Sequence, residues 1–338
     1  MAIATDTVPK GSTILVTGVN GFIGSHVADQ LLERGYKVRG AVRDINKNKW
    51  LSDLFEKKYG KERFEFVAVP DMCASAFVHV AAVVAKSPDP NQVIPVSVAG
   101  ALNALKASYS EPTVKRFVMT SSSSAALPAD YETFKQPHVV TQDSWSEDAS
   151  KLAWAPPPYT PERAFQVYFA SKAESEQAIW KYHKENRHRR PDLVVNSVLP
   201  NMNFGRPLDV VNQGFPSSSN LISILWQGGQ IPFRLPQCFV DVEDSAALHI
   251  AATLLPDVQD ERIFAFAEPF NWDRVLAILR QQNPGHKFSD DFAGIEYPHD
   301  IKPRGRAEEL LKRVGRPGWT PLEESLLRNT EQLRQSKI

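Results

Sequence analysis

The sequence predicts an α/β protein: a doubly wound parallel sheet followed by a smaller C-terminal lobe. Three observations carry that expectation. Short apolar strands alternate with helical patterns as far as residue 200, a glycine-rich turn joins the first strand to the first helix, and a stretch rich in Pro, Ser and Gly then replaces the alternation. Hydrophobic residues make up 42% of the 338, enough core for one sheet domain and a lobe. Lys+Arg and Asp+Glu number 39 each, so the basic excess of a general nucleic-acid binder is missing. Two cysteines, Cys73 and Cys238, cannot build a disulfide framework or a Cys-rich zinc site, and no metal site is expected. The longest apolar run, residues 77–85, is broken by His79 and falls far short of the roughly 20 residues a bilayer requires. Residues 1–12 lack the apolar core of a signal peptide. A cytoplasmic protein with no nucleic-acid or membrane partner is the expectation.

Residues 13–17 read as the first buried strand, ending at Gly18. Phe22, Ile23, Val27, Leu31 and Leu32 then recur at helical spacing, and Gly35 is placed to end that helix. Residues 36–42, 64–69, 77–82 and 116–120 read as the second to fifth strands, with a helix over 98–109 before the fifth. A long amphipathic helix over about 161–184 leads to a strand at 193–199. These elements set a Rossmann-type domain at 10–200, to which 239–255 is expected to return, with 239–248 as the stretch that would rejoin the sheet. The lobe takes 201–238 and 256–338. No internal repeat is present.

Four motifs carry chemistry. The first is Gly18-Val-Asn-Gly21-Phe-Ile-Gly24, between strand and helix. Glycines there permit a tight turn and let the backbone approach a pyrophosphate at the positive helix end. The second is Arg43 at the end of the second strand, with Lys47 and Lys49 beyond it. In this fold that position faces the adenosine ribose, and a cation there favours a 2′-phosphate, whereas the adjacent Asp44 keeps the unphosphorylated cofactor open. The third is Tyr168-Phe-Ala-Ser-Lys172: residues four apart share a helix face, and an ammonium beside a phenol stabilises phenolate. Tyr131 and Lys135 repeat that spacing, but Pro128 and Pro137 bracket them and they follow the fifth strand too closely. The fourth is Ser121 to Ser124 after Thr120, at the strand end where ligands of such sheets sit; a hydroxyl there can hold a carbonyl oxygen.

Together with Asn196 to Pro200, these motifs make the chain resemble the extended short-chain dehydrogenase/reductases over nearly its whole length. Within that family it is most similar to dihydroflavonol-4-reductase-like enzymes, and more narrowly to fungal aldehyde and ketone reductases. GYKVRGAVRD, VKRFVMTSSSSAAL, FNWDRVLAIL and GRPGWTPLEESL carry the narrower likeness. The resemblance implies NADPH-dependent reduction of aldehydes and ketones, keto esters included. It casts Tyr168 as proton donor, Lys172 as its partner and ribose ligand, and Ser122 as the carbonyl-orienting serine, with Ser123 second. It further implies cofactor contacts from Gly18, Gly21, Phe22, Ile23, Gly24, Arg43, Lys47, Thr120, Tyr168 and Lys172. Asp71 and Met72 would meet adenine, Ala81 would line the groove and Pro200 would lie beside the nicotinamide. The partner is a small carbonyl substrate, and the chain is expected as a monomer or homodimer. Two rivals remain: a nucleotide-sugar epimerase or dehydratase, against which Arg43 weighs, and a non-catalytic NADPH sensor, against which the Tyr168–Lys172 pair weighs.

Other residues have plain readings. His79 reads as a strand histidine, 184–190 as a solvated helix end, and Asp241 and Asp244 as turn or helix-cap residues. Phe204, Trp226 and Phe233 suit either an apolar substrate wall or the core. One departure from the family stands out: only seven residues, 70–76, separate the third strand from the fourth. A parallel crossover needs a dozen or more. The link must move roughly 14 Å across the sheet and roughly 17 Å back, about 22 Å in all, and seven residues reach at most about 25 Å. An extended connection and an edge left bare of its helix are therefore expected, whether the chain is naturally short here or a segment is missing from the sequence.

Overall fold

The computed structural model describes residues 7–67, 74–82, 87–231 and 234–335. The first half runs β1 (Thr13–Thr17), α1 (Phe22–Glu33), β2 (Lys37–Ala41), α2 (Lys49–Tyr59), β3 (Phe64–Val67), β4 (Ala76–His79), α3 (Pro90–Ser110) and β5 (Arg116–Thr120). Short elements α4 (Tyr131–Phe134), β6 (Val139–Val140) and α5 (Ala149–Ala153) precede the long α6 (Arg163–Asn186) and β7 (Val194–Pro200). Next come β8 (Met202–Phe204), α7 (Val210–Gln213), α8 (Ser219–Trp226), β9 (Gln237–Asp241), α9 (Val242–Leu254), β10 (Arg262–Ala265) and β11 (Glu268–Phe270). The chain closes with α10 (Trp272–Gln282), β12 (Asp300–Ile301), α11 (Arg304–Arg313), α12 (Leu322–Asn329) and α13 (Glu331–Gln335).

Seven strands form one sheet in the order β10-β7-β5-β4-β1-β2-β3, and every neighbouring pair is parallel. The order reverses between β1 and β4, which opens the crevice where such folds bind ligands. α1, α2 and α9 cover one face around Val27, Leu31, Leu51, Phe55 and the buried α9 residues; α3 and α6 cover the other around Leu105, Tyr109, Phe117 and Ile179.

Two expectations about the lobe change. Residues 239–248 do not rejoin the central sheet as a strand. β9 belongs to a separate sheet of order β11-β9-β8, and Asp241 turns the chain from it into α9. The segment that does rejoin is β10, which pairs with β7 although it lies inside the stretch assigned to the lobe. Phe204 is fully buried against Phe239, Phe270 and Trp272, so it is lobe core and not a substrate wall; Trp226 stacks on His286 at 4.1 Å. Phe233 lies outside the described residues. Asp241 caps α9 by accepting the Glu243 N–H at 2.9 Å, as expected, whereas Asp244 is buried and paired with Arg316. The 184–190 run is not wholly solvated either: Arg190 donates to the carbonyls of Ser108, Tyr109 and Glu111 and so closes the end of α3.

The short link falls largely outside the described residues. Its end, Ala74 and Ser75, is fixed: Thr113 Oγ1 donates to the Ala74 carbonyl, and Ser75 bridges Thr13 and Lys115. β3 keeps its place beside β2, and β4 lies between β1 and β5. The short link implies a sheet edge bare of its helix and exposing apolar surface, and the edge beside the link is β2–β3. There Phe64 and Phe66 pack with α2 on one face, and the opposite face carries Lys37 and an Arg39–Glu65 ion pair of 2.5 Å. That edge is charged instead of apolar.

Candidate active site

After β1 the chain turns at Gly18 with φ +65, a conformation that favours glycine. A Cβ on Gly18 would stand 2.8 Å from the Ala81 nitrogen, so the strand end after β4 passes directly over the turn. Gly21 donates its N–H to the Gly18 carbonyl at 2.9 Å and leads into α1. No side chain caps α1, and its first turn holds no acidic residue. The N–H groups of Phe22, Ile23 and Gly24, without partners by helix geometry, therefore present a positive end suited to a phosphate group. Gln213 of α7 donates to the Asn20 carbonyl at 3.2 Å and to Ser25 Oγ at 3.1 Å, so the lobe braces the turn.

Arg43 lies two residues past the end of β2 and is exposed, with no hydrogen bond or ion pair among the described residues. Asp44 is occupied locally: it accepts the Lys47 N–H at 3.1 Å and faces the Lys47 ammonium at 3.9 Å. Asp71 and Met72 lie outside the described residues. Ala81 is exposed and its N–H donates to Thr17 Oγ1 at 3.2 Å, which holds the groove wall against β1. Pro200 ends β7, buried.

Tyr168 and Lys172 lie one turn apart on α6. Lys172 is only 9% exposed and has no ion pair or hydrogen bond among the described residues. The Tyr168 hydroxyl has none either, and its ring is half-buried in a cluster with Phe165, Phe169, Leu199 and Tyr297. An isolated buried ammonium beside a phenol is costly unless a ligand completes it. Burial, together with the Lys172 charge, pushes the nearby His79 down to about 4, so that histidine is neutral. His79 ends β4, a strand histidine as the sequence indicates, and its Nδ1 meets Thr17 Oγ1 of the neighbouring β1 at 2.9 Å.

The four serines separate by their partners. Ser121 Oγ donates to Glu176 at 2.7 Å and is committed inward. Among the described residues Ser122 Oγ makes only a 3.1 Å bond to Ser124 Oγ and a 3.2 Å bond from the Ser124 N–H, so it can turn to a ligand. The Thr120 hydroxyl is engaged with His249: His249 Nδ1–H donates to the Ser245 carbonyl at 2.7 Å, so Nε2 accepts from Thr120 Oγ1, also at 2.7 Å. Tyr131 sits on the one-turn α4, is 54% exposed, and stacks under Lys135, whose ammonium pairs with Glu132. Sequence reasoning passed over Glu176 and Arg262. The available signal was position: Glu176 continues the Tyr168–Lys172 face by one more turn. Among the described residues no group of His, Cys, Asp or Glu could hold a metal, and no helix is long and apolar enough to cross a membrane.

The buried histidines make the fold acid-sensitive. Burial pushes His79, His183, His249 and His299 down to about 4. An unfolded histidine titrates near 6.5, so the unfolded chain binds more protons between those values, and stability falls as pH falls through that window. Asp241 acts oppositely: burial and Asp244 push it up to about 7, so its share is lost as pH rises from about 4 to 7. Burial also lowers His26 and raises Asp244, so five imidazoles stand against two carboxyls and outweigh them. Tm is expected to fall by roughly 5 °C or more between pH 6.5 and 5; a flat or rising Tm would mean these rings are already charged in the folded protein.

The fold and site have named counterparts. Residues 14–196 match the model of the NAD dependent epimerase/dehydratase family. The chain is 37% identical over 346 residues to NAD-dependent epimerase/dehydratase terH of Aspergillus terreus, covering 98% of this chain and 99% of the relative. It is 36% identical over 339 residues to aldehyde reductase 2 of Sporidiobolus salmonicolor (94% and 95%), and 39% over 338 to ketoreductase adrE of Penicillium rubens (94% and 96%). Yeast methylglyoxal/isovaleraldehyde reductase Gre2, solved in complex with NADPH, superposes with a TM-score of 0.81 over 96% of this chain and 98% of its own, at 21% identity. The family model spans the glycine turn, the serine run and the Tyr168–Lys172 pair, and the full-length relatives carry the match through the lobe: the chain belongs to the epimerase/dehydratase family of extended short-chain dehydrogenases/reductases.

Proposed function

We propose that the protein is an NADPH-dependent reductase of small aldehydes and ketones, keto esters included. The observation that carries this reading is Lys172: a nearly buried ammonium with no protein partner among the described residues, one helical turn from a phenol with none. The chain fits a dinucleotide. The uncapped α1 suits the pyrophosphate, the Gly18 turn under Ala81 forms the groove floor, and Arg43, without a partner among the described residues, suits a 2′-phosphate. When bound, the nicotinamide supplies the hydride.

The protein's own groups do the rest. Ser122 holds the substrate oxygen, and Tyr168 donates its proton to that oxygen as negative charge develops there. Lys172 stabilises the phenolate that Tyr168 becomes and hydrogen-bonds the ribose. Neutral His79 adds no competing charge beside it. Named relatives that are an aldehyde reductase and a ketoreductase support this substrate class. Carbonyl-dependent NADPH oxidation over a panel of aldehydes, α-diketones and β-keto esters tests it; no turnover with any of them sinks it.

Cofactor choice has its own test. Losing a charge-assisted phosphate contact costs about 1.5–3 kcal/mol, roughly 10- to 150-fold in affinity. Arg43→Ala is expected to weaken NADPH by that factor and leave NADH within about threefold. Equal losses for both cofactors would remove Arg43 from the phosphate site.

A further inference from the structure

Glu176 is a fully buried carboxylate with five polar contacts, from β7, from β10, from α6 itself and from the residue after β5. Its Oε1 accepts from Ser197 Oγ of β7 at 2.6 Å, from Arg262 Nε of β10 at 2.9 Å and from Trp180 Nε1 of α6 itself at 3.2 Å. Its Oε2 accepts from Ser121 Oγ, one residue beyond β5, at 2.7 Å and from Arg262 Nη2 at 3.2 Å. Arg262 Nη1 donates to the carbonyls of Gln142 (2.6 Å) and Ser144 (2.7 Å), and its guanidinium lies over the Trp145 ring at 3.8 Å. The segment so gripped continues to Ser146, whose N–H donates to the Ala125 carbonyl at 2.9 Å, and to Asp148, which accepts the N–H groups of Ala129 and Asp130.

We propose that Glu176, with Arg262, is a positioning residue that sets the separation between Tyr168 on α6 and Ser122 after β5. This rests on the reductase reading above and deepens it. Tyr168, Lys172 and Glu176 are four residues apart along one face, so a fixed Glu176 fixes the rotation and axial position of the two reacting groups, within about 12 Å of helix. Ser121 adjoins Ser122, so the second oxygen of the same carboxylate fixes the serine loop. Both groups must reach one carbonyl oxygen, and a misplacement of about 1 Å can cost about 100-fold in rate. A buried ion pair adds little net stability over an apolar contact, so stability alone gives weak reason for a charge here; geometry gives a strong one.

Glu176→Asp keeps the charge and Arg262's partner but is one methylene short of spanning β5, β7 and β10 at once. It is expected to lower kcat by about 10- to 100-fold and leave KM for NADPH within about threefold, with rates expressed per NADPH-binding site so that unfolded protein does not count. Ser121→Ala leaves the Glu176–Arg262 pair whole and is expected to lower kcat by about threefold or more, again without a change in KM. It decides the matter alone if the aspartate variant does not fold. Rates within twofold of wild type for the folded variants, or losses wholly explained by a reduced count of binding sites, overturn the proposal. If the wild type itself reduces no carbonyl, the reductase reading fails first, and hydrogen exchange then judges the positioning role. Faster exchange confined to residues 121–126 and 142–148 in Glu176→Asp supports it, and unchanged exchange overturns it.

Discussion

Tyr168→Phe is expected to stop turnover while leaving the protein folded and able to bind NADPH. The ring stays, so its place among Phe165, Phe169 and Leu199 is kept, and the hydroxyl removed has no hydrogen bond among the described residues that the fold would lose. A positioned general acid contributes about 100- to 10,000-fold, equivalent to about 3–5.5 kcal/mol of barrier. The expected result is a fall in kcat of that size with NADPH affinity within a few-fold. Tyr131→Phe is the matched comparison, because Tyr131 and Lys135 repeat the spacing. Tyr131 stands 54% exposed on a one-turn helix, and the ammonium of Lys135 is paired with Glu132. Its rate should stay within a few-fold. If Tyr131→Phe lost activity and Tyr168→Phe kept it, the catalytic pair would have to be reassigned.

The two tyrosines also show what a sequence conveys. Spacing alone marks both pairs. Burial tells them apart, and so do Pro128 and Pro137, which leave room for no more than a short helix around Tyr131. The parallel sheet was legible because strands buried on both faces read as unbroken apolar runs, and residues 116–120 match β5 end for end. The lobe was not. Residues 239–248 carry an apolar pattern across two elements, and the change from strand to helix occurs at one cap, Asp241. β10 is four residues long and holds an arginine whose burial depends on Glu176, 86 positions away. The serine run was illegible for the same reason: four identical side chains differ only in where they point. Ser121 turns to a glutamate 55 positions on, a pairing that no local pattern announces. A glutamate in mid-helix reads as surface, and only tertiary structure makes it the anchor of the site.

Gly24→Ala should be the most damaging of the conservative changes in the glycine turn. Gly24 is the third residue of α1, and a Cβ there would sit 2.1 Å from the Gly18 carbonyl oxygen and 2.8 Å from its carbon. Both are backbone atoms, held by the Gly21 N–H from one side and crowded by Ala81 from the other, so no flexible side chain can give way. Overpacking of this kind costs about 1–3 kcal/mol or more. Any relief must push the turn away from α1, carrying off the N–H groups that would meet a pyrophosphate. NADPH affinity is expected to drop at least about 100-fold, with a lower Tm. Gly18→Ala should rank second, since φ +65 strains an alanine by about 1–2 kcal/mol and its Cβ meets Ala81 at 2.8 Å. Gly21→Ala should be mildest: its φ of −79 is ordinary, and its Cβ would stand 3.2 Å from one oxygen. Gly100→Ala completes the series from outside the site. Its Cβ would meet nothing within 4 Å on α3, so a gain of up to about 1 kcal/mol in stability and unchanged binding are expected. Fluorescence titration with NADPH and thermal melts give the ranking. Should Gly21→Ala prove as damaging as Gly24→Ala, the glycines would be serving close approach of the ligand and not the packing of helix on turn.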